Sequence, residues 1–465
     1  MSLLIINGKL VTEEGILEKS IRIEGERIVA IGDLKAQGDD EMLDAKGLFV
    51  MPGGIDPHTH MELQQSAEFR SADDFYSGTV AAALGGTTTI IDHIGFGPVG
   101  CDLHYSLDQY HEKAKKAVID YSFHGVIQQV DEAILAELKS LIEDEGIASF
   151  KAYSTYGFKI DDESLLKVMR TTKAAGGILA VHCENDAAIQ LLKTDMASAG
   201  LGDAIWHAKS RPPRVESEYI ARVCELSALA GNAPVYIVHT STELGAKRIQ
   251  TFKGEGVPVF METCPQYLLL TEQKYTEGGN AQGIKYIMAP PLRQENDRAA
   301  LWQSLSNGVC DTIGTDHCPF CYGEKEAGLS DFSKAPGGAP GVQERLALIF
   351  TEGVLTGRLT MAEFTDLVST NPAKVLGLYP RKGTLKVGSD ADLVLLKEGP
   401  ETLISAKTQA SVCDYSIYEG MSHKCQIDYV LSRGEIIVAQ GEFKGQRGRG
   451  RFQMRRIDPQ FMMQK

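Results

Sequence analysis

Hydrophobic and polar positions change their rhythm twice along the chain. In roughly the first fifty residues, LLIINGKLVT and SIRIEGERIVAIG alternate apolar and polar positions around NG and EG turn signals. That two-residue period predicts short, half-buried strands. The end of the chain returns to it in GTLKVGSDADLVLLKEG and QIDYVLSRGEIIVAQGEF. Between about Met51 and Leu378 the pattern differs: near-continuous apolar runs alternate with amphipathic segments of helical length. The runs are GLFVMPGGID, TTTIID, YSFHGVI, ASFKAY, GILAVHC, PVYIVHTS, VPVFMET and VCDTIGTD. Their apolar character suits parallel strands buried on both faces. The intervening segments include DDFYSGTVAAALGG, SLDQYHEKAKKAVI, SLLKVMRTTKAAGG and SEYIARVCELSALAG; three close on Gly-Gly or Ala-Gly, as helix C-termini often do. Eight such alternations predict an α/β fold, a (β/α)₈ TIM-like barrel over residues 54–378. The two β-rich ends, 1–53 and 379–465, are expected to pair into one small β-sandwich domain.

Composition narrows the classes. With 465 residues, the chain suits one large domain and a smaller companion. Its 62 acidic against 47 basic residues give a net charge of −15, which argues against nucleic acid and anionic membranes as partners. No apolar run reaches the ~20 residues needed to span a bilayer, and MSLLIINGKLVTEEG does not read as a signal peptide. Nine scattered cysteines suit reduced thiols in a cytoplasmic protein; the lone CPFC pair at Cys318 and Cys321 adds little. The basic, Gly-rich GQRGRGRFQMRR near the end reads as a solvated tail.

Unusual polar residues then collect at the ends of the predicted strands. His58 and His60 follow the first, in DPHTH. Lys151 lies in the fourth, His182 ends the fifth, His239 the sixth, and Asp316 the eighth, in GTDHCPF. In a barrel these ends converge on one face, where active sites form. Each residue alone has a plain structural reading: a core histidine, a helix cap, an ion-paired lysine. Five strand ends each presenting a ligand-type residue are harder to explain by packing. The set suits two divalent metals about 3.5–4 Å apart sharing an activated water, with zinc preferred and manganese or cobalt as alternatives. A bridging ligand should be anionic and bidentate. Lysine becomes both when its buried, deprotonated amine captures CO₂ as a carbamate. His104, His111, His124, His207 and His423 read as structural or solvated. His93 and His317 lie near the expected mouth.

Taken together, HTH, SFKAY, AVHCEN, IVHTS and GTDHCPF resemble the cyclic amidohydrolases. GGTTTIIDHIGFGP, IDYSFHGVI and ETCPQYLLL point to the dihydropyrimidinase and D-hydantoinase branch, phenylhydantoinase-like members in particular. The resemblance implies that His58, His60 and Asp316 bind one metal, that His182 and His239 bind the other, and that carboxylated Lys151 bridges them. It implies further that Tyr156 stabilises the oxyanion and Asp316 moves the proton. The expected reaction opens a 5-substituted hydantoin or dihydropyrimidine to an N-carbamoyl amino acid, in a homotetramer or homodimer. Ala289 (APPLR where the family commonly reads SPPLR) and Gly337 (Gly-Gly in place of Asn-Gly) mark the ring-binding loops. Leu63, Phe69, Phe96 and Phe158 are candidates to receive the ring substituent, on loops at 61–69, 94–99 and 154–158. Allantoinase and dihydroorotase are the rival enzymes, the latter needing an arginine for which Arg70 is the nearest candidate. A non-catalytic scaffold relative is the rival from another class, but it should lack ligand positions, and none is missing.

Overall fold

The computed structural model describes residues 2–38 and 40–462. Eight parallel strands lie side by side in chain order: Gly54–Thr59, Thr87–His93, Asp120–Val126, Ser149–Tyr153, Ile178–His182, Val235–Ile237, Val259–Thr263 and Thr312–Ile313. The circle closes where the segment after the last strand meets the first: the Asp316 amide donates to the His58 carbonyl and the His60 amide to the His317 carbonyl, each at 2.9 Å. Arg345, fully buried, ties the same seam by donating to the carbonyls of Ile55 and Ile313 at 2.8 Å. Outside the strands run helices whose caps are written locally. Asp161 accepts from the Ser164 amide to start Asp162–Ala174, and Asn185 accepts from Ala188 to start Asp186–Ser198. At the expected helix ends Gly86, Gly176 and Gly231 take φ of 84°, 79° and 78°, a left-handed backbone that disfavours a side chain.

The ends of the chain form two further sheets, the smaller wholly N-terminal and the larger built from strands of both ends. One has four strands and includes Ser2–Ile6 and Ser20–Glu24; the other has seven and joins Lys9–Thr12 and Phe49–Pro52 to Leu393–Leu403 and Ser422–Ser432. Leu10, Ile21, Ile23, Val50, Leu393 and Leu395 pack between them, while Met51, Val394, Leu396 and Val430 join the barrel's core. The alternation of apolar positions thus serves two interfaces at once.

Two expectations need correcting. The run GLFVMPGGID is not one barrel strand: Phe49–Pro52 belongs to the seven-stranded sheet and Gly54–Thr59 to the barrel. The chain crosses between them at Gly53, where a Cβ would lie 2.1 Å from Thr88 Oγ1, so only glycine passes. Nor is the basic tail simply solvated. Residues 450–455 run across the N-terminal ends of the barrel strands, with the Gln453 amide on the Tyr121 carbonyl at 2.7 Å. Arg455 is fully buried and donates to Ser122 Oγ and Ser149 Oγ, both at 2.8 Å, and to the Phe123 carbonyl. A buried guanidinium requires such partners, and a composition-based reading cannot see them.

Candidate active site

At the C-terminal face of the barrel the strand ends deliver their polar residues into one cavity of about 480 Å³. The His58, His60 and Asp316 side chains meet there. His58 Nε2 lies 3.3 Å from His60 Nε2, and Asp316 Oδ1 lies 3.0 Å from the first and 3.1 Å from the second. His182 Nδ1 and His239 Nε2 form a second pair at 3.0 Å, with the His58 and His239 rings 5.4 Å apart. Lys151 lines the same cavity and is 1% exposed. So do Tyr156, Leu63, Phe96, Phe158, Ala289 and Gly337, whereas Phe69 is not among the lining residues.

The backbone carries strain where these groups are presented. His239 and Asp316 have φ of 39° and 53°, and Tyr156 has φ of 74°, a region non-glycine residues rarely adopt. The loop bearing Tyr156 is pinned from both sides: Ser154 Oγ donates to the carbonyls of His182 and Glu184 at 2.6 and 2.8 Å, and Thr155 Oγ1 to Asp186 at 2.8 Å. Tyr156 itself remains 43% exposed, facing the cavity.

Carboxylates hold the histidines from behind. Glu262, at 0% exposure, accepts from His58 Nδ1 at 2.6 Å, from the His239 amide at 2.9 Å and from the Tyr236 hydroxyl at 2.8 Å. Glu184 takes His182 Nε2 at 2.8 Å and is itself paired with buried Arg211. These acids fix which ring nitrogen faces the cavity. Sequence reasoning missed both. The only signals were an acid closing an apolar run, in VFMET, and another two residues beyond a candidate ligand, in AVHCEN.

Electrostatically the site favours a cation. Burial works against charge on His58, but the Glu262 and Asp316 carboxylates outweigh it and lift His58 to about 9. Burial keeps His60 and His182 below the usual histidine range, and His239 well below it, so these rings favour the neutral form that ligates. Asp316 is also buried, yet His58 and His60 hold it well below the ordinary carboxylate range. Burial lowers Lys151 to about 8, against the opposing pull of Asp316 and Glu262. The donor set fits a divalent metal: tetrahedral ligands about 2.0–2.1 Å from zinc stand about 3.3 Å from one another, close to the 3.0–3.3 Å spacing of the His58, His60 and Asp316 atoms.

Other histidines sort by contact. His93 packs against His58 with tilted rings 4.1 Å apart and stacks on His124 at 4.0 Å. His317 binds Asp73 at 3.1 Å. His207, read as structural or solvated, is buried against the Met288 carbonyl at 2.7 Å, and it also lines the cavity. Arg70 pairs with Glu62 and is not among the cavity's lining residues. Buried Lys325 sits behind the loops that carry Ala289 and Gly337, its ammonium donating to the carbonyls of Ile287, Pro336 and Gly338, each at 2.7 Å. One ammonium thus spends its three N–H groups holding the loop of Ala289 against that of Gly337.

The chain is similar to known proteins over nearly its whole length. A profile described as the Amidohydrolase family matches residues 49–437. A D-phenylhydantoinase of Escherichia coli O1:K1 / APEC is 44% identical over 459 residues, 98% of each chain. Among solved structures, dihydropyrimidinase from Brevibacillus agri NCHU1002 superposes with a TM-score of 0.95 at 40% identity, covering 98% of this chain and 99% of that one. An L-hydantoinase (dihydropyrimidinase) from Arthrobacter aurescens gives 0.89 at 31% identity, covering 97% and 99%.

Proposed function

The chain belongs to the amidohydrolase family, and from that premise we propose that it opens cyclic amides, 5-substituted hydantoins and dihydropyrimidines, to N-carbamoyl amino acids. One observation carries the reading: two groups of ligand-type atoms, His58–His60–Asp316 and His182–His239, share a single cavity with buried Lys151 and with Tyr156. His58, His60 and Asp316 would hold one divalent ion, His182 and His239 a second, and Lys151 as a carbamate would link them. Zinc suits these donors, as would manganese or cobalt. Bound cations of this kind lower the pKa of a shared water and polarise a carbonyl oxygen.

The chain's own residues supply the rest. Lys151, brought to about 8, has a neutral fraction at neutral pH that can attack CO₂. The new N–C bond forms with loss of one proton and leaves a two-oxygen anion. Tyr156 donates its hydroxyl proton as a hydrogen bond to the ring oxygen on which charge develops. Asp316, a carboxylate at rest, accepts a proton from the attacking water and gives it to the ring nitrogen as the C–N bond breaks. One water is consumed and Asp316 ends as it began. Among the described residues no helix is long and apolar enough to cross a membrane. The nine cysteines are free, which suits the cytoplasmic location we propose. A homotetramer, the assembly the family resemblance implies, is checked by light scattering.

The test is hydrolysis of 5-phenylhydantoin, hydantoin, dihydrouracil, allantoin and dihydroorotate by metal-reconstituted protein, with Lys151→Ala beside it. Lysine- and metal-dependent opening of hydantoins or dihydrouracil is expected. Turnover of allantoin alone, to which Gly337-Gly338 draws attention, would keep the chemistry and change the substrate. Failure to bind metal would sink the reading.

A further inference from the structure

The cavity lining is chemically mixed. Leu63, Ile94, Phe96 and Phe158 are apolar. The same lining includes Lys193, on the helix Asp186–Ser198 that follows the fifth barrel strand. It lines both this cavity and an adjoining hollow of about 450 Å³, the two sharing Phe332 and Ser333.

Lys193 is the cation left over when neighbouring charges are paired. Arg211 is engaged by Glu184, and Lys159 by Asp186. Asp331, which also lines the hollow, accepts from the Ser333 amide and hydroxyl and faces Lys334. Among the described residues the Lys193 ammonium makes no hydrogen bond or ion pair; Arg211, Glu184, Asp186 and Asp331 act on it only at longer range. Partial burial, reinforced by Arg211, lowers it to about 8, so it is still largely charged at neutral pH. A partly desolvated ammonium that no protein group pairs is a cation that an anionic group entering the space beside it would pair with. A neutral aryl or alkyl substituent cannot do that.

We infer that Lys193 is a specificity residue for the substituent, and that the substrate class includes cyclic ureides bearing a carboxylate at the far end of the ring's side chain. The inference rests on the ring-opening reading above and deepens it. The ring sits over the histidines and Asp316, the side chain passes Phe332 and Ser333, and its carboxylate pairs with Lys193. The product is then an N-carbamoyl amino acid with an acidic side chain.

The test compares 5-(2-carboxyethyl)hydantoin with its carboxamide isostere, which matches it in size, using metal-reconstituted protein. The carboxylate should be favoured about tenfold or more in kcat/KM. Lys193→Met should bring the ratio near one, and Lys193→Glu should reverse it. A residue needed only for folding would lower both substrates together. Calorimetric binding of both compounds to wild-type and Lys193→Met protein gives a second readout that needs no turnover. If no cyclic amide is opened but the carboxylate still binds more tightly and only with Lys193, the ring-opening reading fails and the Lys193 site stands. Equal treatment of the two compounds by the wild type, or a ratio untouched by Lys193→Met, overturns the inference.

Discussion

His58 and Glu262 lie 204 residues apart in the chain, yet His58 Nδ1 stands 2.6 Å from Glu262 Oε1 in a fully buried contact. The bond leaves Nε2 as the nitrogen that faces His60 and Asp316. Glu262 also takes the His239 amide, so one carboxylate sets one ligand of each proposed metal. Replacing it by glutamine keeps the shape and removes the charge. Such changes behind a ligating histidine typically cost 10–100-fold in metal affinity. Glu262→Gln is therefore expected to weaken binding by about that factor, read by competition with a chromophoric chelator. An affinity equal to wild type would show that the contact does not orient the ligand.

The ligand-type residues were legible because each sits at or near the end of an apolar run, Lys151 two residues before the end of its strand, and barrel topology sends all such ends to one face. Glu262 was not, since an acid at the end of VFMET looks the same whether it meets water or a buried imidazole. The strand count was legible from apolar run length. The break at Gly53 was not, because it depends on the Thr88 side chain across the fold. Charge composition misled at Arg455, where a basic tail that reads as solvated is satisfied by Ser122, Ser149 and the Phe123 carbonyl beneath the barrel.

Lys325 should act through the loops it ties together. Lys325→Met leaves the carbonyls of Ile287, Pro336 and Gly338 without their buried donor. Each unsatisfied carbonyl costs about 1–3 kcal/mol, reduced where the loops relax toward water. A loss of roughly 3 kcal/mol in denaturant unfolding is expected. KM should rise more than kcat falls, because the proposed ring-binding loops loosen while the ligand-type histidines keep their places. A kcat loss with KM unchanged would contradict this.

Acid should loosen the contacts of Glu13 with Lys374, Lys386 and the Tyr379 hydroxyl. Burial works to raise this carboxyl, but hydrogen bonds from Tyr379, Lys386 and Lys374 outweigh it and hold Glu13 at about 2 against an ordinary 4.5. A depressed carboxyl contributes stability that is full above its unfolded pKa and is lost as pH falls toward the folded value. The window is therefore between about 4.5 and about 2. The group is partly exposed, so solvent screening keeps the effect modest. Glu13→Gln should be less stable than wild type near neutrality, with the gap closing across that window in thermal melts. A constant gap would mean that Glu13 contributes packing rather than charge.

The apolar residues of the cavity lining make the opposite demand to Lys193. Phe96 packs on Phe158 with ring centroids 4.6 Å apart and on Tyr153 at 5.2 Å, and Phe96 and Phe158 both line the cavity. An aryl group on the ring would extend this cluster, and an aromatic contact contributes about 0.5–1.5 kcal/mol beyond the area it buries. Phe158→Ala removes one face of that contact and also frees Phe96 to move. The preference for 5-phenylhydantoin over unsubstituted hydantoin should then fall roughly tenfold in kcat/KM, the order expected for a few lost apolar contacts in a pocket. Hydantoin has no substituent to lose and serves as the internal reference. An unchanged preference would remove Phe158 from the substituent's path and leave Leu63 and Ile94 as the residues to alter next.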